Sequence, residues 1–182
     1  IAGRLIFAAA WCLGQLPLHW QHRLGVAAGR LAYRLDLREA KVARRNLSLA
    51  WPGLAAPERE AQVRAILEQT GCNGFESVRV WTRPRAQNLA LIRSIRGAEA
   101  LDAAEAAGRG MIVVAPHYGN LEVVICYIAS RGPLSLVYRV PDSPAGNVFL
   151  RLARGASYTT LVPAEGNAMR PLWKALKGRQ TV

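Results

Sequence analysis

The sequence is short of lysine and of acid. Three lysines, Lys41, Lys174 and Lys177, stand against 21 arginines, and 24 basic residues against 12 acidic ones leave a formal net charge of +12. The preference for arginine, with abundant alanine beside it, is what a GC-rich genome produces and carries little functional weight. Cysteine is scarce too: Cys12, Cys72 and Cys126 are odd in number, far apart and without a CxxC pair. That excludes a disulfide framework and reads as reduced thiols in a cytosol-facing protein. No cluster has metal-ligand spacing, so neither a metal nor a cofactor is expected. Motifs of the form GxSxG, GxxxxGK[ST] and HExxH are missing, which excludes a nucleophile elbow, a P-loop and a zincin helix. Finally, no apolar run reaches the roughly 20 residues that a membrane-spanning helix needs. Residues 5–18, LIFAAAWCLGQLPL, come nearest. They read as an interfacial or buried helix, or as the tail of an anchor, with Trp11 and Trp20 suited to a membrane interface. The chain opens on Ile1 and closes on Thr181-Val182, which reads as the start of a strand, so both ends read as cut.

What is present is a chain of 182 residues, 51% apolar, long enough to bury a core. Its charge is uneven. Residues 1–50 hold eight basic and two acidic residues, which is +6 of the total +12. A basic segment beside apolar sequence fits an anionic membrane surface, an acidic protein or nucleic acid, and equally a solubilising helix face. Helical spacing of Leu24, Leu31 and Leu35 predicts a helix from Leu18 to Leu35, and another is expected from Arg38 to Leu49, before Trp51-Pro52-Gly53. Pro57 in a first turn with Glu58 and Glu60 predicts a third helix, broken near Gly71 and Gly74 and running to about Trp81.

After Pro84 the period changes. Residues 98–107 read as a helix. Met111 to Ala115, a continuous apolar run, reads as a buried strand, and Asn120 to Ser130 as a helix. Leu134 to Tyr138 and Thr160 to Val162 read as strands, separated by a helix over 144–154, and a last helix covers Ala168 to Lys177. Alternating strands and helices predict an α/β fold. The division expected is a basic, helical, membrane-proximal segment over 1–84 and an α/β region over 85–182, with a mostly parallel sheet flanked by helices.

The residues with chemistry are His117-Tyr118-Gly119-Asn120-Leu121-Glu122. They follow the strand and open a helix, and in open α/β sheets ligands bind beyond the carboxyl ends of strands. A spacing of five lets His117 and Glu122 meet only if the histidine lies in the turn before the helix. Gly119 permits such a turn, and Asn120 suits the N-cap. Glu122 would then accept a hydrogen bond from one ring nitrogen and leave the other as a base. The same spacing also arises from a loop histidine and an ordinary acidic residue at a helix start; the place at a strand end favours catalysis. Cys126 has apolar neighbours and reads as buried. His19 and His22 read as surface or interfacial residues.

HYGNLE matches the H-x4-[D/E] signature of glycerolipid-type acyltransferases. The fuller pattern resembles the bacterial lipid A late acyltransferases, which add secondary lauroyl or myristoyl chains in lipopolysaccharide synthesis. The segments that carry the resemblance are RLGVAAGRLAY, ARRNLSLAWPGL, GAEALDAAEAAGRGMIVVAPHYGNLE, YRVPDSPAGNVFLRLARG and MRPLWKALKGRQTV, in register over nearly the whole chain. Pro163-Ala164-Glu165-Gly166 departs by one inserted residue from the Pro-Glu-Gly motif of the related phosphate acyltransferases, which favours the lipid A branch. Pro116 before the histidine is a departure. The family is usually longer, so about its C-terminal third has no counterpart here.

The resemblance implies an acyl chain moved from acyl carrier protein to a hydroxyl of a lipid A precursor, at the cytoplasmic face of the inner membrane. His117 would deprotonate the hydroxyl, and Glu122 would hold and charge-balance His117. Backbone N–H groups around Gly119 and Asn120, and Arg139, are candidates for stabilising the oxyanion. Arg139, Arg151 and Arg154 are candidates for phosphate or headgroup, since arginine forks match phosphate oxygens. The partners implied are acyl carrier protein, anionic inner-membrane lipid and the lipid A precursor, with no nucleic acid. A relative acting on another lipid or glycolipid acceptor, or a nonenzymatic basic module for membrane or nucleic acid, are the competing readings.

Overall fold

The computed structural model describes residues 1–155 and 159–182. In chain order the elements are α1 (Ala2–Gly14), α2 (Leu18–Arg34), α3 (Arg38–Ala50), α4 (Ala56–Thr82), α5 (Arg85–Leu89), α6 (Ala98–Ala106), α7 (Leu121–Arg131), β1 (Leu134–Tyr138), α8 (Pro144–Gly155), β2 (Thr159–Pro163) and α9 (Met169–Lys177). They fall into two compact units, one of residues 13–79 and one of residues 1–12 with 80–182. The first twelve residues therefore group with the region that carries the strands. Among the described residues no helix is long and apolar enough to cross a membrane.

The unit of residues 13–79 is helical. Ala40, Ala43 and Leu47 of α3 pack with Val63 and Leu67 of α4 in one buried cluster, and Tyr33 of α2 lies against it. Gln21 is wholly buried; its Nε2 donates to the carbonyls of Leu13, Gly14 and Leu16 at 3.2, 3.3 and 3.0 Å. It thus satisfies carbonyls that the end of a helix leaves without partners. The helix break expected at Gly71 and Gly74 does not occur, and α4 runs unbroken through both. Gly71 serves close approach instead of a bend. A Cβ on Gly25 of α2 would sit 2.6 Å from the Cys72 nitrogen and 2.7 Å from its Cα. The two helix backbones touch, and only hydrogen fits between them.

Gly25→Val is therefore expected to cost about 3 kcal/mol or more, because backbone cannot move aside as a side chain can. At this chain length that lowers the thermal midpoint by roughly 10 °C. Gly74→Ala, on the same helix with nothing within 4 Å of the new methyl, is expected to raise it slightly. Similar midpoints for the two variants in a thermal melt would refute the close approach.

Charge tightens the same unit. Arg44 donates from Nε and Nη2 to Glu60 at 2.7 and 3.0 Å, and from Nη1 to Asp36. The Arg44 guanidinium holds both carboxyls below the ordinary range, with the Tyr33 hydroxyl adding to the effect at Glu60. In the other unit Arg131 of α7 does the same for Glu105 of α6. A carboxyl whose folded value is depressed contributes stability above its unfolded value, near pH 4, and loses it as pH falls through the folded value. The expected midpoint is flat from about pH 7 to 5 and falls below about pH 4, with a shallower fall in Glu60→Gln. An identical acid limb in that variant would exclude Glu60 as a contributor.

In the unit of residues 1–12 and 80–182, β1 and β2 pair in parallel from Leu134↔Thr159 to Tyr138↔Pro163, with α8 as the crossover. Thr181 bridges in parallel to both Met111 and Leu134. The order across the sheet is thus the segment at 111, then 181, then β1 and β2. The expected α/β character and parallel pairing are present, on a chain that is mostly helical.

The strand expected at Met111–Ala115 is found only in part. The Val182 N–H donates to the Met111 carbonyl and the Val113 N–H to the Val182 carbonyl, both at 2.8 Å. However, Ile112 is 67% and Val114 90% exposed, while Val113 packs on the α7 core of Ile125, Ile128 and Ala129. A continuous apolar run does not tell how many of its faces are covered, and here one is.

Candidate active site

The chain leaves its extended segment at Ala115 and turns through His117 to Gly119, which adopts φ +65°. That left-handed conformation is open to glycine at no steric cost. Asn120 follows at the N-cap of α7, its side chain accepting from the Glu122 N–H at 3.1 Å. The turn and cap read from the sequence are both in place. They put Glu122 in the first turn of α7, where the helix dipole favours an anion.

Glu122 is buried, and its carboxylate is held by an arginine. Arg154, near the end of α8, donates from Nη2 to Oε1 at 2.5 Å and from Nε to Oε2 at 3.3 Å. The side chains are 9% and 19% exposed, so this is a largely desolvated two-point fork. Among the described residues no hydrogen bond joins His117 to Glu122. The His117 ring is exposed at the edge of a cavity of about 530 Å³ that also borders Arg139 and Arg154. Leu121, Val124 and Ile125 of α7 and Leu134 and Leu136 of β1 line its apolar part. The volume lies in the range of small-molecule sites, and the mixture of apolar wall and few polar groups is typical of them.

Of the other candidates, Arg139 is exposed and lies 3.7 Å from Asp142. Arg151 is exposed and does not line the cavity. Cys126 is buried, and burial pushes its thiol above the usual range, so it is poorly suited to act as a nucleophile. His22 pairs with Glu76 at 2.7 Å within the unit of residues 13–79. The site thus brings together one exposed imidazole, an apolar cavity and guanidinium groups, with a carboxylate bound through one of them. The Glu122–Arg154 fork is the feature that sequence reasoning missed. Its partners are 32 positions apart on different helices, and no local spacing announces it.

The family model for the bacterial lipid A biosynthesis acyltransferase matches residues 3–182. The chain is 32% identical over 134 residues to the lipid A biosynthesis lauroyltransferase of Escherichia coli, covering 74% of this chain and 44% of that protein. It is 27% identical over 177 residues to the lipid A biosynthesis palmitoleoyltransferase of Escherichia coli, covering 94% of this chain and 55% of that protein. A lipid A biosynthesis acyltransferase of Shigella flexneri matches at the same identity and coverage. The chain spans about half the length of the curated relatives it matches.

Proposed function

The chain belongs to the bacterial lipid A biosynthesis acyltransferases, and from that premise we propose that the protein moves a fatty acyl chain from acyl carrier protein to a hydroxyl of a lipid A precursor at the cytoplasmic face of the inner membrane. The observation that carries the reading is the exposed imidazole of His117 beside an apolar cavity. A base that must meet a hydroxyl has to be reachable, and an acyl chain needs an apolar wall beside it.

In the proposed step a ring nitrogen of His117 takes the proton of the acceptor hydroxyl. The hydroxyl oxygen bonds to the thioester carbon, the carbon–sulfur bond breaks, and the proton passes from His117 to the leaving sulfur. Negative charge on the thioester oxygen is met by Arg139, which borders the cavity, and by N–H groups of the Gly119-Asn120 turn. Arg139 and Arg151 are also exposed enough to meet phosphates of the precursor. Glu122 supplies the charge that balances the imidazolium, and Arg154 is the positioning residue that holds Glu122 in the first turn of α7.

The test is transfer of a labelled acyl group from acyl carrier protein to a tetra-acylated lipid A precursor in detergent. Labelled product that depends on His117 is expected. Product on another hydroxylated lipid alone would replace the acceptor, and no product on any would overturn the reading.

A further inference from the structure

α8 carries Arg154 on one face and meets the first helix of the chain on another. At about 100° per residue, Asn147 and Arg154, seven positions apart, share a face. There Asn147 accepts from the Tyr138 hydroxyl at 3.4 Å, and Arg154 makes its fork on Glu122. Ala145, Val148 and Phe149 lie about 120–180° around the helix from Arg154, and that side faces α1. The residues of α1 that turn inward are Gly3, Phe7 and Ala10, spaced as one helix face, while those between them are exposed. A Cβ on Gly3 would sit 2.6 Å from the Ala145 carbonyl oxygen and 2.7 Å from the Val148 Cβ. The Phe7 ring lies 6.3 Å from the Phe149 ring, and Trp81 meets Phe149 edge to face at 5.5 Å.

We propose that Gly3 and Phe7 are positioning residues of the transfer reaction: α1 backs α8 and so seats Arg154 on Glu122. Their role rests on the proposed function and extends it to what holds the fork in place. The fork has little slack. Its Nε arm is 3.3 Å long, past the common range for such a bond, so a retreat of α8 by about 0.5 Å breaks that arm and leaves a one-point contact. On the same face of α8 the other polar contact is the long one from Tyr138. The backing is tighter. Gly3 lets the α1 backbone reach the Ala145 carbonyl, and the Phe149 ring is met by two others. Close-packed contacts of this kind yield little and transmit strain. A helix of 12 residues moves as a rod, so a displacement at Val148 is carried about 9 Å along the axis to Arg154.

Transfer and amide hydrogen exchange are measured on the intact protein in detergent. Phe7→Ala is expected to lower kcat about 10-fold with KM within about twofold, as loss of positioning does. Phe7→Leu, which keeps most of the apolar volume, is expected to restore most of the rate. In the Arg154→Lys background the two-point fork is already gone. There Phe7→Ala is expected to cost less than about twofold more, because changes that act through one contact do not add. The same 10-fold loss in both backgrounds would mean that Phe7 serves packing alone, and would overturn the proposal. So would a Phe7→Ala rate within about twofold of the unaltered protein. If Phe7→Ala does not fold, Gly3→Ala, one methyl against the Ala145 carbonyl, carries the same cycle with an expected loss of about threefold. Exchange needs no turnover, and the amides of residues 148–154 are expected to exchange faster in Phe7→Ala. Unchanged exchange would refute the seating of α8. Faster exchange beside an unaltered protein that transfers nothing would count against the enzyme reading and leave the seating in place.

Discussion

His117→Ala is expected to reduce acyl transfer by about 10²–10⁴-fold, the usual contribution of a positioned general base. The same variant is expected to keep its stability within about 0.5 kcal/mol, as surface substitutions do. The two halves of that expectation come from one fact. The ring is exposed and makes no hydrogen bond among the described residues, so its removal leaves neither a cavity nor an orphaned partner. A residue with so little structural work is informative when it is removed. Loss of transfer with an unchanged thermal melt places the base at His117. Transfer within about threefold of the unaltered protein would exclude it, since general-base catalysis exceeds that.

Arg154→Ala is expected to do the opposite, damaging structure as well as transfer. It strands the Glu122 carboxylate, 9% exposed, without the fork that offsets its burial. Breaking such a pair from one side costs about 3–5 kcal/mol. Arg154→Lys keeps the charge but loses the two-point geometry, and an intermediate loss is expected. The decisive variant removes both charges. Glu122→Leu/Arg154→Met is expected to recover most of the stability, because an apolar pair can replace a buried ion pair at little cost. Its transfer is expected to stay low, since nothing then balances the imidazolium. Stability and transfer recovering together would reduce the pair to a structural strut. Transfer failing alone would assign Glu122 to the chemistry.

The two variants differ because the sequence signature carries two kinds of information. H-x4-E names residues whose chemistry is plausible, and the local turn that joins them is legible from Gly119 and Asn120. Glycine alone enters the left-handed region at no steric cost, and asparagine caps a helix with its own side chain. Both are properties of a few consecutive residues. The partner of Glu122 is a different matter, because it arrives from α8. Arg154, one of the three arginines that the sequence suggested for phosphate or headgroup, forks onto that carboxylate.

The sequence by itself determined the helical periods of α2 and α3, the parallel strand β1, the crossover helix α8, and the family through five segments in register. Periodicity, capping and punctuation act within a turn or two of chain, so a linear reading recovers them. Only the tertiary structure decided the continuity of α4 through Gly71, the one-sided cover of residues 111–115 and the capture of Glu122 by Arg154. Each of these depends on which surface of a distant helix comes to lie against the residue. Helix packing sets that by fitting ridges and close contacts over the whole unit, and no short stretch of sequence contains it.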